Sequence, residues 1–86
     1  MAKNGTISYE PKNVADLTNF FTANKDKFHE IWIIIIKKTR VNPQPVSFDE
    51  AVTEALKQGL VDSRTKTLDE ERYAIRFTKR IKKIVD

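Results

Sequence analysis

The run Ile31-Trp32-Ile33-Ile34-Ile35-Ile36, closed by Lys37 and Lys38, constrains this chain more than any other feature. Its branched and aromatic side chains crowd the preceding turn of a helix and suit a pleated strand. Six apolar residues also fall well short of the roughly 20 needed to span a bilayer. On a strand, alternate side chains point to opposite faces, so Ile31, Ile33 and Ile35 face one way and Trp32, Ile34 and Ile36 the other. Both faces then need cover, which marks a central strand, read here over 29–39.

The elements available to cover it follow from the rest of the chain. Ile7 and Tyr9 alternate with polar neighbours over 6–10, a short strand that Pro11 stops. Asn13 is then an N-cap, Asp16 sits in the first turn where the helix dipole favours an anion, and Val14, Leu17, Phe20 and Phe21 recur at helical spacing. After an extended stretch fixed by Pro43 and Pro45, Ser47-Phe48-Asp49-Glu50 forms a capping box. The helix it starts has Ala51, Val52, Ala55, Leu56 and Leu60 on its apolar side and closes at Gly59.

The last third has two readings. In one, Leu60 and Val61 form a short strand, residues 62–67 a turn rich in hydrogen-bonding side chains, and residues 72–78 a strand with Tyr73, Ile75 and Phe77 on its apolar face. In the other, Tyr73, Phe77, Ile81 and Ile84 lie at helical spacing and a helix begins near Asp69. The early cluster of aromatic and branched residues favours the strand to about Thr78, with a short helix at the C-terminus. The fold class expected is α+β, a two-layer α/β sandwich in the order β-α-β-α-β-β, as one domain over residues 1–86. If both helices lie on one face, the other needs Ile81, Ile84 and Val85 from the tail, a second subunit, or a ligand. The expectation is that the tail supplies this cover in a monomer, with a homodimer as the alternative.

Chemistry is thinly provided. Without cysteine there is no disulfide, thiolate metal site or thiol nucleophile, and a single histidine, His29, leaves no cluster of metal ligands. No cofactor is expected. Two glycines exclude a glycine-rich phosphate loop, and no serine has an evident base beside it. The start, MAKNGTISYEPKN, lacks a signal peptide's apolar stretch, so a cytoplasmic setting without membrane insertion is expected.

Charge is the remaining signal. Residues 1–60 carry eight basic and seven acidic side chains, whereas residues 72–86 carry six basic side chains against Asp86 alone. Arginine and lysine there can recognise carboxylate or phosphate. The alternative is a solvated hairpin in which Asp62, Asp69, Glu70 and Glu71 pair locally with these cations. The candidate ligand-binding residues are Lys37, Lys38, Asp62, Ser63, Arg64, Tyr73, Arg76 and Arg80. An anionic small molecule or a protein is the expected partner. Nucleic acid is the second reading, although Tyr73 and Phe77 sit on the apolar face where they serve a core rather than stack bases. An enzyme using Asp62, Arg64, Lys38, Tyr73 and Arg76 is the third.

The stretches EIWIIIIKKTR and VSFDEAVTEALKQGLVDSRTKTLDEERYAIRFTKR resemble the YdeI/OmpD-associated family, described as bacteriocin-protection proteins. In that family a Trp-containing strand ends in lysines, a DEAVxEAL-like helix runs into Gly-Trp-Ile-Asp, and a Leu-Asp, Arg-Tyr, Arg-Phe-Thr-Pro-Arg stretch follows. Trp32, Lys37, Lys38, Ala55, Leu56, Gly59, Asp62, Leu68, Asp69, Tyr73, Arg76, Phe77, Thr78 and Arg80 occupy matching positions. The chain departs where the family has Cys-Phe-Gly-Trp, since it carries Lys57-Gln58-Gly59-Leu60, and Lys79 stands in place of a proline. It reads as a short form without the family's C-terminal segment. The resemblance implies a fold, a cytoplasmic setting and a stress-related, non-catalytic binding role, with no particular reaction.

Overall fold

The computed structural model describes residues 4–40 and 43–79, with four strands and two helices in the order β1 (Asn4–Tyr9), α1 (Val14–Asn24), β2 (Phe28–Ile36), α2 (Phe48–Lys57), β3 (Leu60–Thr67) and β4 (Arg72–Lys79). The strands form one mixed sheet in the spatial order β1-β2-β4-β3. β1 runs parallel to β2, while β4 is antiparallel to both β2 and β3. β2 is therefore central, as its unbroken apolar run requires. The α+β class and the element order are those expected from the sequence.

Each helix starts where its cap dictates. Asn13 accepts the backbone N–H of Asp16 at 2.8 Å, which satisfies a donor left free by the first turn of α1. At α2 the capping box is complete: Ser47 Oγ accepts from the Glu50 amide at 3.1 Å, and Glu50 accepts from the Ser47 amide at 2.9 Å. Gly59 has φ of 79°, the left-handed conformation that turns the chain from α2 into β3 without a Cβ penalty.

The topology puts both helices on one side of the sheet. The connection β1-α1-β2 steps one strand across, and β2-α2-β3 steps over β4 in the same direction; two right-handed crossovers in one direction share a face. The core agrees, since Leu17 and Phe21 of α1 and Ala51 and Ala55 of α2 join Ile31, Ile33, Ile35, Ile75 and Phe77 in one buried cluster. Phe21 meets Phe77 edge to face with ring centroids 5.4 Å apart. Leu56 stands apart from this cluster and is 51% exposed, contrary to its expected place on the apolar side of α2. Its position in the helix turns it outward, away from Ala51 and Ala55.

The hairpin departs most from expectation. Asp62, Ser63 and Arg64 are not in a turn but within β3, paired to β4 through a bulge between Asp62 and Arg64. The turn lies further on, where Asp69 Oδ1 accepts the amides of Glu71 at 2.7 Å and Arg72 at 2.8 Å. One carboxylate that gathers two amides fixes a tight reversal. β4 bears out the strand reading for residues 72–78 and runs one residue further to Lys79, whereas the C-terminal helix, Arg80 and the expected cover by Ile81, Ile84 and Val85 lie outside the described residues. Among the described residues, no helix is long and apolar enough to cross a membrane.

Candidate functional site

The face of the sheet turned away from the helices can be reconstructed strand by strand, because cross-strand neighbours share a face. Ser8, Trp32, Arg76 and Arg64 form one row across β1, β2, β4 and β3. Ile34, Ala74 and Lys66 form the next, and Ile36 faces Arg72 beyond it. No helix or strand covers these rows among the described residues. The small Ala74 leaves a depression of about 210 Å³ between Trp32, Ile34, Lys66 and Leu68, bounded on the β1 side by Thr6 and Ser8.

Glu30 organises one end of this face. Its Oε1 accepts from Trp32 Nε1 at 3.0 Å and from Thr6 Oγ1 at 3.3 Å, while Oε2 accepts from Arg76 Nη2 at 2.9 Å. The Arg76 guanidinium, and after it the indole N–H, holds the Glu30 carboxyl below its usual range. Arg76 also donates through Nη1 to Ser63 Oγ at 2.9 Å, so its fork is occupied on both sides. The indole is thereby fixed in orientation, and the positive charge of Arg76 is matched by Glu30.

Arg64 and Lys66 complete the face differently. Both are exposed on β3, a strand at the sheet edge, and neither has a carboxylate partner among the described residues. They stand two residues apart, so their side chains leave the sheet on the same side about 7 Å from one another. The other cations of the hairpin are engaged: Arg72 bridges Glu10 at 3.1 Å and Asp69 at 3.5 Å, and Lys79 reaches Asp26 at 2.6 Å.

The eight residues singled out from the sequence do not form one site. Ser63, Arg64 and Arg76 meet on the open face. Asp62 lies opposite Phe77 in the register, on the helix-facing side of the bulge. Lys37, Lys38 and Tyr73 instead border a separate notch of about 380 Å³ with Gln44, Ser47, Phe48 and Asp49, where α2 begins. Burial, and after it the Asp49 carboxylate, pushes the Tyr73 phenol up, so it stays protonated. Among the described residues the Ser47 hydroxyl in the notch donates to no base, and the Ser47 and Glu50 amides there are already bonded within the capping box. A catalytic set of Asp62, Arg64, Lys38, Tyr73 and Arg76 is thus not assembled, because Tyr73 and Arg76 project from opposite faces of β4. Arg80 lies outside the described residues.

Trp32 is the functional candidate that sequence reasoning passed over. Its face is legible from the alternation of β2, whereas Phe77 lies in the core and Tyr73 packs against it. The signal was the same-direction order of the two helices, which leaves Trp32, rather than those rings, on the uncovered side.

Fold and face together define a two-layer α/β sandwich in which, among the described residues, one side of the sheet carries no covering element. A family model described as a domain of unknown function (DUF8412) matches residues 9–85, and the chain belongs to that family. No curated protein matches it.

Proposed function

We propose that the protein is a non-catalytic binding module that takes an anionic ligand on its open sheet face. One observation carries this reading: an apolar depression built by Trp32, Ile34 and Ala74 adjoins Arg64 and Lys66, whose charges no carboxylate offsets among the described residues. Apolar contact area gives affinity and two placed cations give preference for anions. Self-association through this face is disfavoured, since a second copy would bring the same two cations against a surface already carrying them. The proposal sets the module in the cytoplasm, where phosphate-bearing ligands are abundant. A stress-related role and kinship with the YdeI/OmpD-associated family belong to the same proposal, supported by the matching positions between Ser47 and Arg80. A solved member of that family with another strand order would remove the kinship.

The test is a titration of the labelled chain with anionic probes, namely inorganic phosphate, a nucleotide and poly-glutamate, followed by amide shifts. Shifts concentrated at residues 32–34, 64–66 and 74–76 are expected. Shifts confined to the helices or to the Lys37–Lys38 notch would refute the assignment.

A further inference from the structure

We infer that the ligand of the open face is single-stranded nucleic acid, with a base stacked against Trp32 and the backbone phosphates held by Arg64 and Lys66. This deepens the binding reading above and rests on it. The chemistry of the face is mixed in a particular way: one indole, two aliphatic side chains and an alanine floor adjoin two unmatched cations on a neighbouring strand. An inorganic anion or a simple carboxylate would satisfy the cations but leave the apolar depression without an occupant. An extended nucleic-acid strand presents both parts at once, a planar base for the indole and phosphates for the cations.

Three details support the assignment. The indole N–H is already bonded to Glu30, so the ring is held in place before a ligand arrives and little ordering remains to be done. The carboxylates that reach these rows are matched by cations, Glu30 by Arg76 and both Glu10 and Asp69 by Arg72, so they offer little repulsion to a phosphate. The face is a broad sheet rather than a projecting helix or a two-stranded ribbon, which are the shapes that enter a duplex groove. Unpaired bases are what such a surface can reach.

Trp32 is the single tryptophan of the chain, so its emission reports on the face directly. The experiment titrates the full chain with a mixed-sequence 12-nucleotide DNA or RNA strand, its duplex, poly-glutamate, and vesicles containing phosphatidylglycerol. The single strand is expected to quench Trp32 and to shift amides at 32–34, 64–66 and 74–76. The log-log salt slope should be at least as steep as about −1.4, the value for two phosphates neutralised on a single strand. Arg64→Glu combined with Lys66→Glu, both at exposed positions, should weaken binding about tenfold or more and flatten the slope. Trp32→Leu, checked for folding by thermal melting and followed by anisotropy of a labelled strand, should weaken it about five- to hundredfold. Should that variant not fold, the charge-reversed pair and the quenching of the natural chain still decide the matter.

Quenching by poly-glutamate or vesicles without quenching by oligonucleotides would overturn the nucleic-acid assignment and leave the binding face standing. Equal affinity for duplex and single strand, or unchanged binding by the charge-reversed pair, would also overturn it. If no probe alters Trp32 or the amides of the face, both readings fall.

Discussion

Ile33 and Ile34 are neighbours on β2, yet the fold gives them opposite surroundings, and replacing each by alanine tests the one-sided architecture. Ile33 is fully buried beneath the helices, whereas Ile34 is half-buried on the open face. Isoleucine to alanine removes three carbons, about 2.4 kcal/mol of transfer free energy at about 0.8 kcal/mol each when burial is complete. At Ile33 the surrounding residues cannot collapse fully, so a cavity term raises the cost to about 3–4 kcal/mol. At Ile34 solvent or neighbouring side chains occupy the vacated space, the cavity term vanishes, and about 1–1.5 kcal/mol remains. The gap of about 2 kcal/mol is large against a total stability of about 4–13 kcal/mol for a chain of this length. Urea denaturation of both variants, with slopes of about 1–3 kcal/mol per molar, should separate their midpoints by about 0.7–2 M. Costs equal to within about 0.5 kcal/mol would show that Ile34 is covered in solution and would refute the argument for an open face.

Other consequences are local. Ser47→Ala removes the side-chain acceptor from the capping box and should cost about 1 kcal/mol, read as a lower urea midpoint with unchanged slope. Gly59→Ala forces a side chain into the left-handed region at φ of 79° and should destabilise by about 1–2 kcal/mol, although the space around it is open. Acid should weaken the fold through four carboxyls held below their usual range: Asp16 by the Lys12 amide and then the Tyr9 hydroxyl, Glu30 by Arg76, Glu54 by the Thr18 hydroxyl, and Asp69 by the Glu71 amide. Because these values are lower in the folded chain, the unfolded chain binds more protons as pH falls through the carboxylate range. The stability these four carboxyls contribute is therefore complete above that range and lost below it, and Asp16→Asn should reduce the acid slope of the urea midpoint.

The sequence made the centre of this fold legible and left its edge obscure, for physical reasons visible in single residues. The alternation of β2, the Asn13 and Ser47 caps and the Gly59 turn are local signals, and each was matched by its geometry. β3 had no such signal, because six of its eight residues are exposed and an edge strand need not alternate apolar with polar side chains. Asp62-Ser63-Arg64 therefore read as a turn, while the pairing with β4 that makes it a strand is non-local. The candidate site divided for the same reason. Lys38 is far from Arg64 in sequence and is placed by the strand order, while Tyr73 is parted from Arg64 and Arg76 by the alternation of β4, which turns it to the other face. The lack of a single cluster is consistent with the short-range signals that selected those residues.

The bulge between Asp62 and Arg64 bears on how this strand can change length. Two residues of β3 there span one of β4, so the chain carries one residue beyond what the ladder requires. Loss of Ser63 would heal the irregularity and leave Arg64 opposite Arg76 and Lys66 opposite Ala74. Loss of a residue after Arg64 would reverse the alternation and turn Lys66 from the open face toward the helices. Position 63 is thus where the strand tolerates a change of frame, and length variation among members of the family should gather there.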